Sequence, residues 1–157
     1  GIGHAEAIAS GTAIARSARS LLDAGQAPIL RDLAAAGEPV DAALVARAAG
    51  AGDREAADLL DRAWVAIGAL CASLINVLNP EVIVIGCGIA EHQPRLFEIA
   101  RREARRRVLP VLAERIRIEP AALGGDVSLI GLLPIVNQRI GDPALGAGSE
   151  ASPVATA

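Results

Sequence analysis

The stretch from Asp53 to Gly88 constrains this 157-residue chain more than any other. Leu60, Trp64, Ile67, Cys71, Leu74 and Leu78 follow one another by four and three, the spacing that stacks side chains on one face of an α-helix. This predicts a helix from about Arg54 to Leu78 with Asp53 as its N-cap. Leu70, Ile75 and Val77 make the opposite flank apolar too, so the second half is expected to be buried on more than one side. Asn79-Pro80 ends the helix, because the residue before proline disfavours helical geometry. Val82-Ile83-Val84-Ile85 then predicts a strand covered on both faces, as in a central parallel sheet. Gly86-Cys87-Gly88 reads as a tight turn, and a helix from about Gln93 to Val108 follows with Pro94 at its first position. Helix, strand, glycine turn and helix in direct succession are the α/β pattern.

The flanking segments fit the same class. Residues 1–25 read as a glycine turn leading into helix, with Gly11 as a break and Ile14, Ala18, Leu21 and Leu22 on one face. Gly25 is the expected stop. A short helical piece spans Ile29 to Ala36. Asp41 caps another helix whose stripe is Leu44, Val45 and Ala48 and whose stop is Gly50. Arg115 to Glu119 alternates as a half-exposed strand does. Gly124-Gly125-Asp126 is a second turn. A last helix runs from about Val127 to Ile140 with a kink expected at Pro134. Residues 141–157 are rich in Gly, Ala, Ser and Pro and are expected to be a disordered tail.

Composition excludes several classes. With 52% hydrophobic and 21% charged residues, the chain is globular rather than disordered or fibrous, and one domain is expected at this length. A net charge of −3 argues against nucleic acid as the main partner. No apolar stretch reaches the roughly 18 residues that span a bilayer, so no membrane partner is expected. Every one of the 15 positive charges is Arg, which fits a GC-rich coding bias and is not read as functional. The chain starts at Gly1 and has no Met, so it is expected to be a piece of a longer protein. Cys71 and Cys87 form neither a zinc knuckle nor a CxxC pair. Both are expected to be reduced thiols in a cytoplasmic protein.

Two places could carry chemistry. Glycines at Gly86 and Gly88, after a strand and before a helix, let a phosphate approach the backbone and the free N–H groups of the helix start. Ligands of open α/β sheets gather at such strand ends. The spacing falls short of GxGxxG, and the lysine of a P-loop is missing, so a purely structural turn is the plainer reading. The second place is Gly3-His4-Ala5-Glu6. Glu6 could accept paired hydrogen bonds from adjacent sugar hydroxyls, and His4 could ligate a metal. The plainer reading of Glu6 is an acidic residue favoured in a first helical turn. The cluster Arg101, Arg102, Arg105, Arg106 and Arg107 reads as a solvated helix end, Cys71 and Trp64 as core, and His92 as surface.

In order along the chain, Gly3-His4-x-Glu6-Ala7-x-x-Ser10-Gly11, Gly52-Asp53, Asn76-x-x-Asn79-Pro80-Glu81-Val82-Ile83-Val84-Ile85-Gly86-x-Gly88, Ala122-Leu123-Gly124-x-Asp126 and Gly131 resemble the C-terminal half of the ROK family. That family holds bacterial glucokinases, other sugar kinases and sugar-responsive repressors. The resemblance covers residues 1 to about 140. It implies the C-terminal lobe of an actin-like (RNase H-like) ATPase fold, helices packed on a small mixed sheet, with sugar and nucleotide in the cleft between two lobes.

The resemblance also implies roles. Glu6 matches the glutamate that hydrogen-bonds the sugar. Gly86, Cys87 and Gly88 match the glycine triplet near the nucleotide, with Cys87 in place of the middle glycine. His4 stands where the last zinc-ligand cysteine usually stands. Leu132 and Pro134 depart from the small residues usual in the last helix. The family's phosphate loop, catalytic aspartate and glutamate–glycine–histidine sugar motif precede Gly1, so no catalytic residue is expected here and the fragment alone is expected to be inactive. The implied activity is transfer of the γ-phosphoryl of MgATP to the 6-hydroxyl of glucose. The alternative is a repressor in which this lobe binds an effector sugar. ATP with Mg, a hexose and a homodimeric or tetrameric assembly are the implied partners. DNA belongs only to the repressor alternative, and zinc only to the longer protein.

Overall fold

The computed structural model describes residues 4–86, 93–122 and 127–140, with side chains 130–136 in the last stretch. Glu6–Ala9 forms a short helix, α1, and Gly11–Asp23 forms α2. The break between them is at Ser10, which is extended and whose hydroxyl accepts from the Ala13 N–H at 3.1 Å. Ile14 and Ala18 are fully buried on the face predicted for them. Gly25 closes α2 at φ +70°, a conformation that favours a residue without Cβ.

Helix α3 covers Pro28–Ala35 and α4 covers Ala42–Gly50. Asp41 caps α4 through the Leu44 N–H at 2.8 Å, as predicted. Gly50 is the last residue of α4 rather than its stop. The left-handed residue that turns the chain is Gly52, at φ +100°.

Helix α5 spans Arg54–Leu78, the predicted range, and packs against α1, α2, α4 and α6. Trp64 and Cys71 are core. The expected burial of its late flank does not hold. Ile75 is buried, yet Leu70, Leu74, Val77 and Leu78 are exposed, Val77 at 80%. The buried positions of the late half are instead Gly68, Cys71, Ala72 and Ile75, which share one side of the helix. Asn79, in the left-handed region at φ 44°, ends the helix.

By length and composition α5 could cross a bilayer, contrary to the reading of apolar stretches above. Asp61, Arg62, Ser73 and Asn76 interrupt the run without removing its apolar balance. Here it serves as the core helix.

Strand β1, Ile83–Ile85, pairs in parallel with β2, Ile118–Pro120, with Ile83 opposite Ile118 and Ile85 opposite Pro120. Helix α6, Pro94–Arg107, makes the crossover that parallel strands require. Among the described residues the sheet is therefore parallel, not mixed. It is covered on one face: Val84, which points away from Ile83 and Ile85, is 58% exposed. The predicted strand at Arg115–Glu119 begins only at Ile118, because Pro110–Arg115 forms a 3-10 helix. Helix α7, Val127–Ile140, runs on past Pro134. The turn at 124–126, His92 and the predicted tail at 141–157 lie outside the described residues.

Candidate functional site

Gly86 follows directly on β1, at the C-terminal end of the sheet. The Ala121 N–H donates to the Ile85 carbonyl at 3.0 Å, carrying the pairing one residue past β2. A Cβ on Gly86 would lie 3.1 Å from the Cβ of Ala121, so a larger residue there would push the two strand ends apart. Cys87 and Gly88, the rest of the predicted phosphate turn, lie outside the described residues.

Glu6 is the first residue of α1 and His4 stands two residues before it; both are exposed. Among the described residues neither side chain makes a hydrogen bond or ion pair. The backbone beneath them is held: the Ala7 N–H donates to the His4 carbonyl at 2.9 Å, and Arg16 of α2 donates to the Ala7 carbonyl at 3.1 Å. Glu6 is thus an exposed carboxylate on an anchored turn, without a partner among the described residues. Among the described residues no three His, Cys, Asp or Glu side chains gather to hold a metal. His4 has no companion ligand among the described residues. Nor does a hydrogen bond among the described residues join Glu6 to Gly86.

Sequence reasoning missed three sets of long-range or buried contacts. Asp53 is more than an N-cap. Buried at 2% exposure, its two oxygens accept from the Ala56 N–H of α5 at 3.1 Å and the Leu30 N–H of α3 at 2.9 Å. Asn76 accepts from the Leu109 N–H at 3.0 Å and donates to the Arg107 carbonyl at 3.2 Å, tying late α5 to the end of α6. The arginine cluster is not simply solvated. Arg106 and Arg107 bond the buried Glu103 at 3.2 and 3.3 Å, and Arg101 reaches β2. Glu103, the one acid within the run from Arg101 to Arg107, was the available signal.

Burial pushes the Cys71 thiol above its ordinary value, which makes it an inert core group rather than a nucleophile.

The model of the ROK family matches residues 3–139. The chain belongs to the ROK family. This ROK chain is 32% identical over 139 residues to the glucokinase of Thermotoga maritima, covering 88% of this chain and 44% of that protein. It is 26% identical over 129 residues to the DNA-binding transcriptional repressor Mlc of Escherichia coli, covering 82% and 30%. Among solved structures it resembles a ROK family glucokinase from Streptomyces griseus in complex with glucose and AMPPNP. There the TM-score is 0.74 and the identity 25%, over 87% of this chain and 45% of that one. The ROK chain shares their actin-like ATPase fold and spans about half the length, or less, of the relatives it matches.

Proposed function

We propose that this chain is the C-terminal lobe of an ATP-dependent sugar kinase, a glucokinase that phosphorylates the 6-hydroxyl of glucose. The observation that carries the reading is the 32% identity to a glucokinase across 88% of the chain. The geometry agrees with it. Glu6 offers an exposed carboxylate, unpaired among the described residues, on an anchored turn, suited to accept hydrogen bonds from adjacent hydroxyls. Gly86 ends a parallel strand, where open α/β sheets bind their ligands. With Cys87 and Gly88 it would border the nucleotide.

Phosphoryl transfer asks a protein mainly to position the reactants and neutralise charge. Glu6 would orient the sugar and the Gly86 turn would receive the phosphates. Mg, bound with ATP, would neutralise the transferring group. The general base belongs to the other lobe, so this lobe alone is inactive. We place the protein in the cytoplasm as a homodimer or tetramer.

The test is ADP release by the full-length protein with glucose and MgATP, beside Glu6→Ala. Glucose-dependent turnover lost in the variant supports the reading. A folded protein that turns over no common hexose sinks it.

The relation to Mlc supports a second reading, a repressor whose sugar-binding lobe is this chain. Sugar-dependent DNA binding without ADP release is its signature.

A further inference from the structure

We propose that Arg101 is the positioning residue of the strand end at Gly86 and, through it, of the nucleotide; the identity of that ligand rests on the kinase reading. Arg101 stands on α6, the helix that joins the two strands. Its Nε–H donates to the Ile118 carbonyl at 2.8 Å and its terminal amino group donates to the Glu119 carboxylate at 3.1 Å. The guanidinium carbon lies 5.8 Å from the centroid of the buried Phe97 ring, which supports the fork from α6 itself. One side chain therefore holds adjacent residues of β2, one by backbone and one by side chain.

The contacts run on to Gly86. β2 is three residues long and, among the described residues, has β1 as its single neighbouring strand. Its last residue, Pro120, has no N–H to donate to a ladder. Ala121, just beyond, donates to Ile85, and its methyl group would stand 3.1 Å from a Cβ placed on Gly86. Whatever fixes β2 along its own axis thus fixes the carbonyl of Ile85 and the space at Gly86.

Arg101 and Glu119 are partly exposed, at 35% and 43%, so their ion pair adds little stability by itself. What the planar fork contributes is geometry: two donors in a fixed relation, which the single ammonium of lysine cannot reproduce.

The experiment uses the full-length protein with Arg101→Ala and Arg101→Lys. Binding of AMPPNP with Mg2+ and of glucose is measured separately by calorimetry, and amide hydrogen exchange is followed at Ile83–Ile85 and Ile118–Ala121. Arg101→Ala is expected to weaken AMPPNP about tenfold, the size of losing hydrogen bonds to a charged group, and to leave glucose within about twofold. It should also speed exchange at Ala121, and Arg101→Lys should fall between.

Unchanged exchange at Ala121, or equal weakening of both ligands, overturns the proposal. Should Arg101→Ala fail to fold, Arg101→Lys carries the same readouts. If the unsubstituted protein binds no AMPPNP, the kinase reading fails, and exchange at Ala121 alone decides whether Arg101 holds the strand end.

Discussion

Gly68 of α5 lies against Glu103 of α6 so closely that a Cβ on Gly68 would stand 2.7 Å from the Cβ of Glu103. The same Cβ would be 3.0 Å from the Cα and the carbonyl oxygen of Ala100. Backbone cannot move aside as the tip of a long side chain can, so Gly68→Ala would drive two helices apart. In an open helix glycine to alanine gains about 1 kcal/mol, whereas overpacking a close contact costs about 1–3 kcal/mol. Two of the three close atoms are backbone, so the overpacking cost falls at the upper end, about 2–3 kcal/mol, and the expected net result is a loss of about 1–2 kcal/mol, or a fall in melting temperature of about 3–6 °C. Gly50→Ala, with nothing within 4 Å, should leave the melt unchanged or raise it. Thermal melts of the two variants side by side decide the point; a Gly68→Ala protein as stable as the parent would refute it.

Asp53 bonds two helix starts with one buried carboxylate. Asp53→Ala leaves the Leu30 and Ala56 N–H groups without a partner away from water, at an expected cost of about 2–4 kcal/mol. Asp53→Asn keeps one acceptor but turns an amide donor toward the other N–H, so it should recover less than half of that loss. Urea denaturation of both variants gives the comparison, and an Asn variant as stable as the parent would rule out the double cap.

Cys71 is held above its ordinary thiol value of 9.0 by burial, so the folded state prefers the neutral thiol. The sign follows: its contribution to stability is fully present below pH 9.0 and is lost as pH rises above it. Stability of the parent should therefore fall on this alkaline limb more steeply than that of Cys71→Ala. A thiol reagent at pH 8 should leave Cys71 unmodified in the folded chain and react with it in urea. Rapid labelling without denaturant would contradict this.

Arg95 and Asp61 join the start of α6 to α5 through two parallel bonds of 2.6 and 2.5 Å. The pair is solvent-exposed on the arginine side, so its coupling in a double-mutant cycle should be below about 1 kcal/mol and should shrink further in high salt. A coupling that survives 1 M salt, where the screening length is about 3 Å, would show a pair far less hydrated than its exposure indicates.

The amino-acid order alone determines the local decisions. Asp41 and Asp53 are legible as caps, Asn79-Pro80 as a helix end and Pro94 as a helix start, because each is settled within four residues by hydrogen bonding or φ restriction. The periodicity of Ile14 and Ala18, or of Leu60 and Trp64, likewise names the buried face. The candidate site is legible only as types: a carboxylate after glycines at Glu6 and a glycine after a β-branched run at Gly86.

The tertiary structure decides the rest. Leu70, Leu74, Val77 and Leu78 repeat as faithfully as the residues that are buried, and no local rule tells which stripe a neighbour will cover. Val84 is exposed because, among the described residues, helices cover one side of the two paired strands. The closeness of Gly68 to Glu103, the second hydrogen bond of Asp53 and the grip of Arg101 on β2 join residues 17 to 35 apart in the chain. Such contacts exist only after the helices have chosen their partners, since burial and long-range hydrogen bonding depend on what arrives from elsewhere in the chain.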